Sequence, residues 1–155
     1  MVRTLIIAMA LGASALTAAA ETTASLDVLR KVEVVGEDGV ATTEYRPVST
    51  AVPGEILTYR IVLDNPDPDP AEAIGMTIPV DPNLRIDPFS ITGPDGVATR
   101  FSVDGINFSS FEDLWVEKEG ERVPAEAGDI THLKIALTEI PAKSIVSIEY
   151  SASVE

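Results

Sequence analysis

The chain has no cysteine and a single histidine, His132, in 155 residues. Without cysteine there is no disulfide framework and no lipid-modified N-terminal cysteine, and a zinc site, which draws on several Cys or His ligands, is disfavoured. Basic residues are scarce, 11 Lys and Arg against 25 Asp and Glu, for a formal net charge of −14. Phosphate recognition needs clustered Lys and Arg, so nucleic acid is not an expected partner, and neither is anionic lipid. Aromatic residues make up only 5% of the chain, so a broad aromatic ligand platform is not available. No apolar run after residue 20 is long enough to cross a bilayer as a helix.

The N-terminal segment sets the expected compartment. Arg3 supplies one positive charge, Leu5 to Leu16 is uncharged and apolar, and Ala18-Ala19-Ala20 precedes the first acid, Glu21. A basic start, a short apolar run and a small-residue site are the marks of a secretory signal peptide, cleaved after Ala20. The run is shorter than the roughly 20 apolar residues of a membrane-spanning helix. The reading is a cleavable signal helix over residues 1–20 and one mature domain over residues 21–155, exported to the periplasm or beyond, with no membrane insertion after cleavage. Loss of Arg3 leaves ten basic residues against 25 acidic ones, or −15. The acids are scattered rather than blocked, which favours solubility by self-repulsion as their role.

Beyond residue 24 apolar residues recur with a period of two, the signal of half-buried strands. Leu57, Tyr59, Ile61 and Leu63 share one face of a segment launched by Val52-Pro53-Gly54 and stopped by Pro66, Pro68 and Pro70. Ile74, Met76, Ile78 and Val80 alternate next, then Val97, Thr99, Phe101 and Val103, then Leu133, Ile135 and Leu137. The last run sets Val146, Ile148, Tyr150, Ala152 and Val154 against Ser147, Glu149, Ser151 and Ser153. Residues 111–118 fit two patterns. Phe111, Leu114, Trp115 and Lys118 have helical spacing behind a Ser110–Asp113 capping box, whereas a strand would pair Leu114 and Val116 with Arg122 and Val123 across Glu119-Gly120; the strand is favoured because its neighbours are strands. Short strands parted by Pro and Gly turns, with no βαβ alternation, predict an all-β fold, an immunoglobulin-like antiparallel β-sandwich.

Five segments, in order, resemble motifs of a known bacterial family. Pro53-Gly54-Glu55 through Tyr59, Ile61 and Asn65 is similar to the opening signature of the conserved repeat domain, also known as domain of unknown function eleven. Ile78-Pro79 with Leu84, Ser102-Val103-Asp104-Gly105 with Phe108, and Asp129-Ile130-Thr131-His132 resemble later motifs, and Ile140-Pro141-Ala142 resembles the last, with Ala142 where a glycine is common. The resemblance covers about residues 25–155. It implies an immunoglobulin-like fold in exported or surface-associated proteins, and it implies no enzyme activity and no catalytic residues.

Several clusters carry candidate chemistry. Asp64, Asp67 and Asp69, with Asn65, are alternate oxygen donors on a bent loop, the type of ligand Ca²⁺ takes, although a calcium-loop glycine and a distal bidentate Glu are missing. Asp81 and Asp87 make a second, weaker acidic pair. Asp129 and His132 have the types of an acid–base couple, with Ser144 or Ser147 as nucleophile by sequence proximity alone, so a backbone-holding role is preferred. Glu112, Asp113, Glu117, Glu119 and Glu121 contain the carboxylates that glycoside cleavage requires, but read as a solvated face. Tyr59 and Tyr150 fall on apolar faces and are expected in the core, leaving Trp115 as the aromatic side chain for ligand contact. Together these readings predict a non-catalytic structural or protein-interaction module of the cell envelope, with a Ca²⁺-dependent adhesion domain and a secreted glycoside or ester hydrolase as alternatives. A partner would join by strand addition at a sheet edge, with the edge near Pro66 to Pro70 protected against it.

Overall fold

A computed structural model describes residues 21–155; the expected signal segment, residues 1–20, lies outside the described residues. The strands are β1 (Thr23–Val35), β2 (Ala41–Pro47), β3 (Ile56–Asn65), β4 (Ala71–Pro79), β5 (Leu84–Ile86), β6 (Ala98–Ser102), β7 (Trp115–Lys118), β8 (Glu121–Pro124), β9 (His132–Ile140) and β10 (Ser144–Val154). They form a five-stranded sheet in the order β2-β1-β3-β10-β5, a three-stranded sheet in the order β4-β9-β6, and the β7–β8 hairpin. Every pairing is antiparallel.

The period-two pattern decides what faces inward. In β3, Leu57, Ile61 and Leu63 are buried and Tyr59 is half-buried; in β10 the buried set is Ile148, Tyr150 and Ala152. Direct pairs such as Ile148↔Ile61 and Tyr150↔Tyr59 put these residues on one face of the large sheet. Leu133, Ile135, Leu137 and Ile140 of β9 bury the facing surface of the small sheet, and Phe101, Leu114 and Ile130 complete one core. Burial of each Leu or Ile stabilises by roughly 1.5–3 kcal/mol, so the core rests on hydrophobic packing without cross-links. Tyr59 and Tyr150 lie in that core as expected, their rings stacked with centroids 5.0 Å apart.

The contested segment divides. Phe111–Asp113 forms a single 3₁₀ turn, and the strand begins at Trp115. Val116 pairs with Val123, as the strand reading expects, but Arg122 pairs with Glu117, and Leu114 lies before the strand, its carbonyl accepting from the Ala125 N–H. The Ser110 hydroxyl donates to Asp113 Oδ2 (2.6 Å) rather than capping the backbone, so no longer helix starts there. Glu119 and Gly120 both have positive φ (56° and 84°), which is the two-residue hairpin turn whose twist suits the flanking strands.

The first strand changes partner midway. Thr23 to Arg30 pair with β3, whereas Leu29 to Val35 pair with β2. Only Leu29 and Arg30 are held on both sides. The second half of β1 and all of β2 therefore extend past β3 as a two-stranded arm, and every residue of β2 is exposed. The first half of β1, Thr23 to Asp27, forms part of the outer margin of the large sheet.

Candidate functional site

The acidic loop between β3 and β4 is organised by the side-chain amide of Asn65. The Asn65 side chain is buried, and its Nδ2 donates to the carbonyls of Asp69 (3.0 Å), Ile140 (3.2 Å) and Pro141 (3.1 Å). Its Oδ1 accepts from the Asp67 N–H (3.2 Å), and Asp67 Oδ1 accepts from the Asp69 N–H (3.2 Å). Asp64 lies in β3, paired with Thr23 and Ile145, apart from the loop that carries Asp67 and Asp69. The three carboxylates expected to converge on Ca²⁺ do not form a ligand group, and among the described residues no set of three His, Cys, Asp or Glu side chains does. The physical reason is competition: Asp67 is turned to backbone N–H within its own loop. A thermal melt with and without EDTA is expected to give the same midpoint, since only metal bound to the folded state would raise it. A midpoint that falls with EDTA would restore the metal reading.

The Asp129–His132 couple is likewise separated. Asp129 Oδ2 accepts from the Glu126 N–H (2.8 Å) and from Lys118 Nζ (3.0 Å). Burial pushes the Asp129 carboxyl up, but these donors win and hold it below the usual carboxylate range. His132 Nδ1 lies 2.9 Å from the Thr131 hydroxyl instead. Its ring packs over Gly105, where an added Cβ would sit 2.8 Å from His132 Cε1 and where φ is +75°. Both features demand glycine. Gly105→Ala is expected to destabilise by about 1–2 kcal/mol in urea unfolding, with His132→Ala in the same chain restoring part of the loss. An unchanged midpoint would remove the steric account.

The loop before that histidine is tied by Ser102 and Asp104. Ser102, fully buried, donates from Oγ to Asp104 Oδ1 (2.9 Å) and accepts from the Gly105 N–H (2.9 Å). Asp104 accepts from the N–H of Asn107 and of Ile106 (both 2.8 Å) and from Asn107 Nδ2 (2.8 Å). The backbone N–H of Asn107 leads the donors that hold this carboxyl far below its ordinary range. Ser102 and Asp104 were legible as a motif, but their use as a loop clamp was not, because it depends on the turn at Gly105.

Trp115 is 43% exposed, with the Arg122 guanidinium 5.3 Å from its ring centroid. It borders a shallow hollow of about 250 Å³ with Phe108, Asn107 and Leu114. Of the nearby acids, Glu117 faces Arg122 across the hairpin, Glu119 sits in its turn, and Glu112, Asp113 and Glu121 are exposed. The second acidic pair is also local: Asp81 accepts from the Asn83 N–H (2.8 Å), and Asp87 from the Phe89 N–H (3.0 Å).

Another opening, which sequence reasoning missed, lies at the margin of the two sheets. A cleft of about 280 Å³ is lined by Leu26, Tyr59, Ile78, Val80, Leu84 and Tyr150, with Asp81 at its rim. Leu26 shares the face of Ile61, its partner in β3, yet is 49% exposed because no strand among the described residues lies beyond it on that margin. Desolvation pushes the Tyr59 and Tyr150 hydroxyls up, Tyr150 to about 12; the Asp81 charge adds to the shift at Tyr59. The backbone beside the cleft is open as well. The Val28 carbonyl accepts from the Val48 N–H, so Val28 points away from β3, and by antiparallel alternation so do Leu26 and Ala24. Their N–H and C=O groups have no backbone partner among the described residues.

Comparison with protein-family models, with curated proteins and with solved structures finds no match for this chain.

Proposed function

We propose that residues 21–155 form an exported, non-catalytic module, an immunoglobulin-like β-sandwich, that acts at the cell envelope through structural or protein contacts. One observation carries the reading: the side chains with the types for catalysis are engaged in holding loops. Asp129 is bonded to Lys118 and to the Glu126 N–H, Asp104 to the loop that follows it, and His132 is packed against Gly105. What remains open is a strand margin, a feature suited to recognition by strand addition. The resemblance to the conserved repeat domain carries the same implication for fold and for location.

Two experiments test the proposal. Expression of the full chain in a bacterial host should yield a periplasmic product beginning at Glu21; an unprocessed chain retained in the membrane would refute export. A broad glycoside and ester substrate screen should show no turnover. Turnover abolished by Glu117→Gln or His132→Ala would refute the non-catalytic part.

A further inference from the structure

We infer that the free margin of β1 and the apolar cleft beside it form a docking site for a basic, extended segment of a partner protein, bound as an added strand. This rests on the reading of the chain as an interaction module and names the site and the chemistry of its partner. An incoming strand needs unpaired backbone groups in register, and Ala24 and Leu26 present theirs outward. It also needs apolar contact at alternate positions, because successive side chains of a strand point to opposite faces. Leu26 marks the inward face, and the cleft floored by Tyr59 and Tyr150 opens next to it.

The margins at β2, β4 and β5 are less suitable. By the same alternation from the Val80 N–H, which donates to the Thr131 carbonyl, β4 turns Ala73, Gly75, Thr77 and Pro79 outward. Ala73 has a positive φ of 53° and Pro79 has no donor, so that margin is broken in two places. Pro66, Pro68 and Pro70 lie in the loop from interior β3 to this β4 margin, so they guard its entrance. β5 has three residues, and β2 is exposed throughout.

Charge selects the occupant. Asp27 lies on β1 opposite Arg60, a guanidinium already bonded to Glu149, Asp81 lines the cleft, and among the described residues no Lys or Arg does. A second copy of this chain would bring a net charge of −14 or more to an acidic margin and be repelled. The chain's own Leu5 to Leu16 carries no charge to complement the rim. A segment with basic residues at alternate positions and β-branched apolar residues between them satisfies both the ladder and the field.

The test uses the exported form of the full chain, labelled with ¹⁵N, and three synthetic nonapeptides: alternating Lys and Val, alternating Glu and Val, and the Lys peptide with proline at its centre. The Lys peptide should shift the Ala24 and Leu26 amides and slow their exchange. The Glu and proline peptides should bind at least tenfold more weakly. Leu26→Lys, at a half-exposed position, should weaken the Lys peptide at least tenfold while leaving the spectrum of the core intact; Leu26→Ala is the second variant if that one fails to fold. Equal binding of the Glu peptide, shifts centred on β2 or β4, or no binding at all would overturn the site. So would Ala24 and Leu26 amides already protected by self-association. None of these results bears on the substrate screen, so the broader non-catalytic reading stands or falls separately.

Discussion

Asn65→Ala is expected to lower the unfolding free energy by about 2–4 kcal/mol, the range for a buried amide whose loss leaves several polar groups unpaired. The residue ends β3, the strand flanked by β1 and β10. Its Nδ2 gathers carbonyls from two chain segments, Asp69 in one loop and Ile140 and Pro141 in the other. Water cannot readily replace it, because the Ile140 side chain is itself fully buried beside that carbonyl. Asn65→Asp should be at least as damaging, since a carboxylate has nothing to donate to three acceptors and would be a buried charge. Urea unfolding reads both variants. A loss below about 1 kcal/mol, that of one ordinary hydrogen bond, would show that the loop is held by other means.

The second large effect appears at alkaline pH. The Tyr150 hydroxyl, pushed up to about 12 by burial and then by Tyr59, stays protonated in the folded chain while the unfolded chain ionises near 10. Over that window the unfolded state binds fewer protons, so stability falls as pH rises. Complete below pH 10, this contribution is lost progressively toward pH 12, and two pKa units correspond to about 3 kcal/mol. Tyr59, shifted in the same direction, adds a slope of the same sign. Tyr150→Phe should flatten much of the decline, because phenylalanine keeps the ring stack without an ionisable group. Identical alkaline slopes for the two proteins would contradict the assignment.

How much of this was legible beforehand follows from what each feature depends on. The faces of β3 and β10 could be read because a strand's alternation is local: Leu57, Ile61 and Leu63, or Ile148, Tyr150 and Ala152, fix their own phase. The division at residues 110–115 was less visible, since one 3₁₀ turn is shorter than any periodicity can resolve. In β1 the phase was blurred by Leu29, which is buried although it lies on the opposite face from Leu26 and Val28, beside Thr58 and Pro47. That burial comes from the change of partner at Leu29 and Arg30, a property of topology. The acidic and histidine clusters misled for a related reason. Proximity along the chain brought Asp129 near His132, but each found a closer partner, Lys118 or Thr131. The cleft joins residues from β1, β3, β4, β5 and β10, so no spacing within one segment announced it.

The partner-binding account depends on the first half of β1 having one side paired and the other free. Residue-resolved amide exchange by NMR on the exported product measures this directly. The account predicts alternation: Ser25 and Asp27, whose N–H groups face β3, exchange slowly, while Ala24 and Leu26 exchange at rates near those of an unstructured chain. Uniform protection across residues 23–28 would mean that the margin is already covered, and uniform exposure would mean that β1 is not held there; either result contradicts the account.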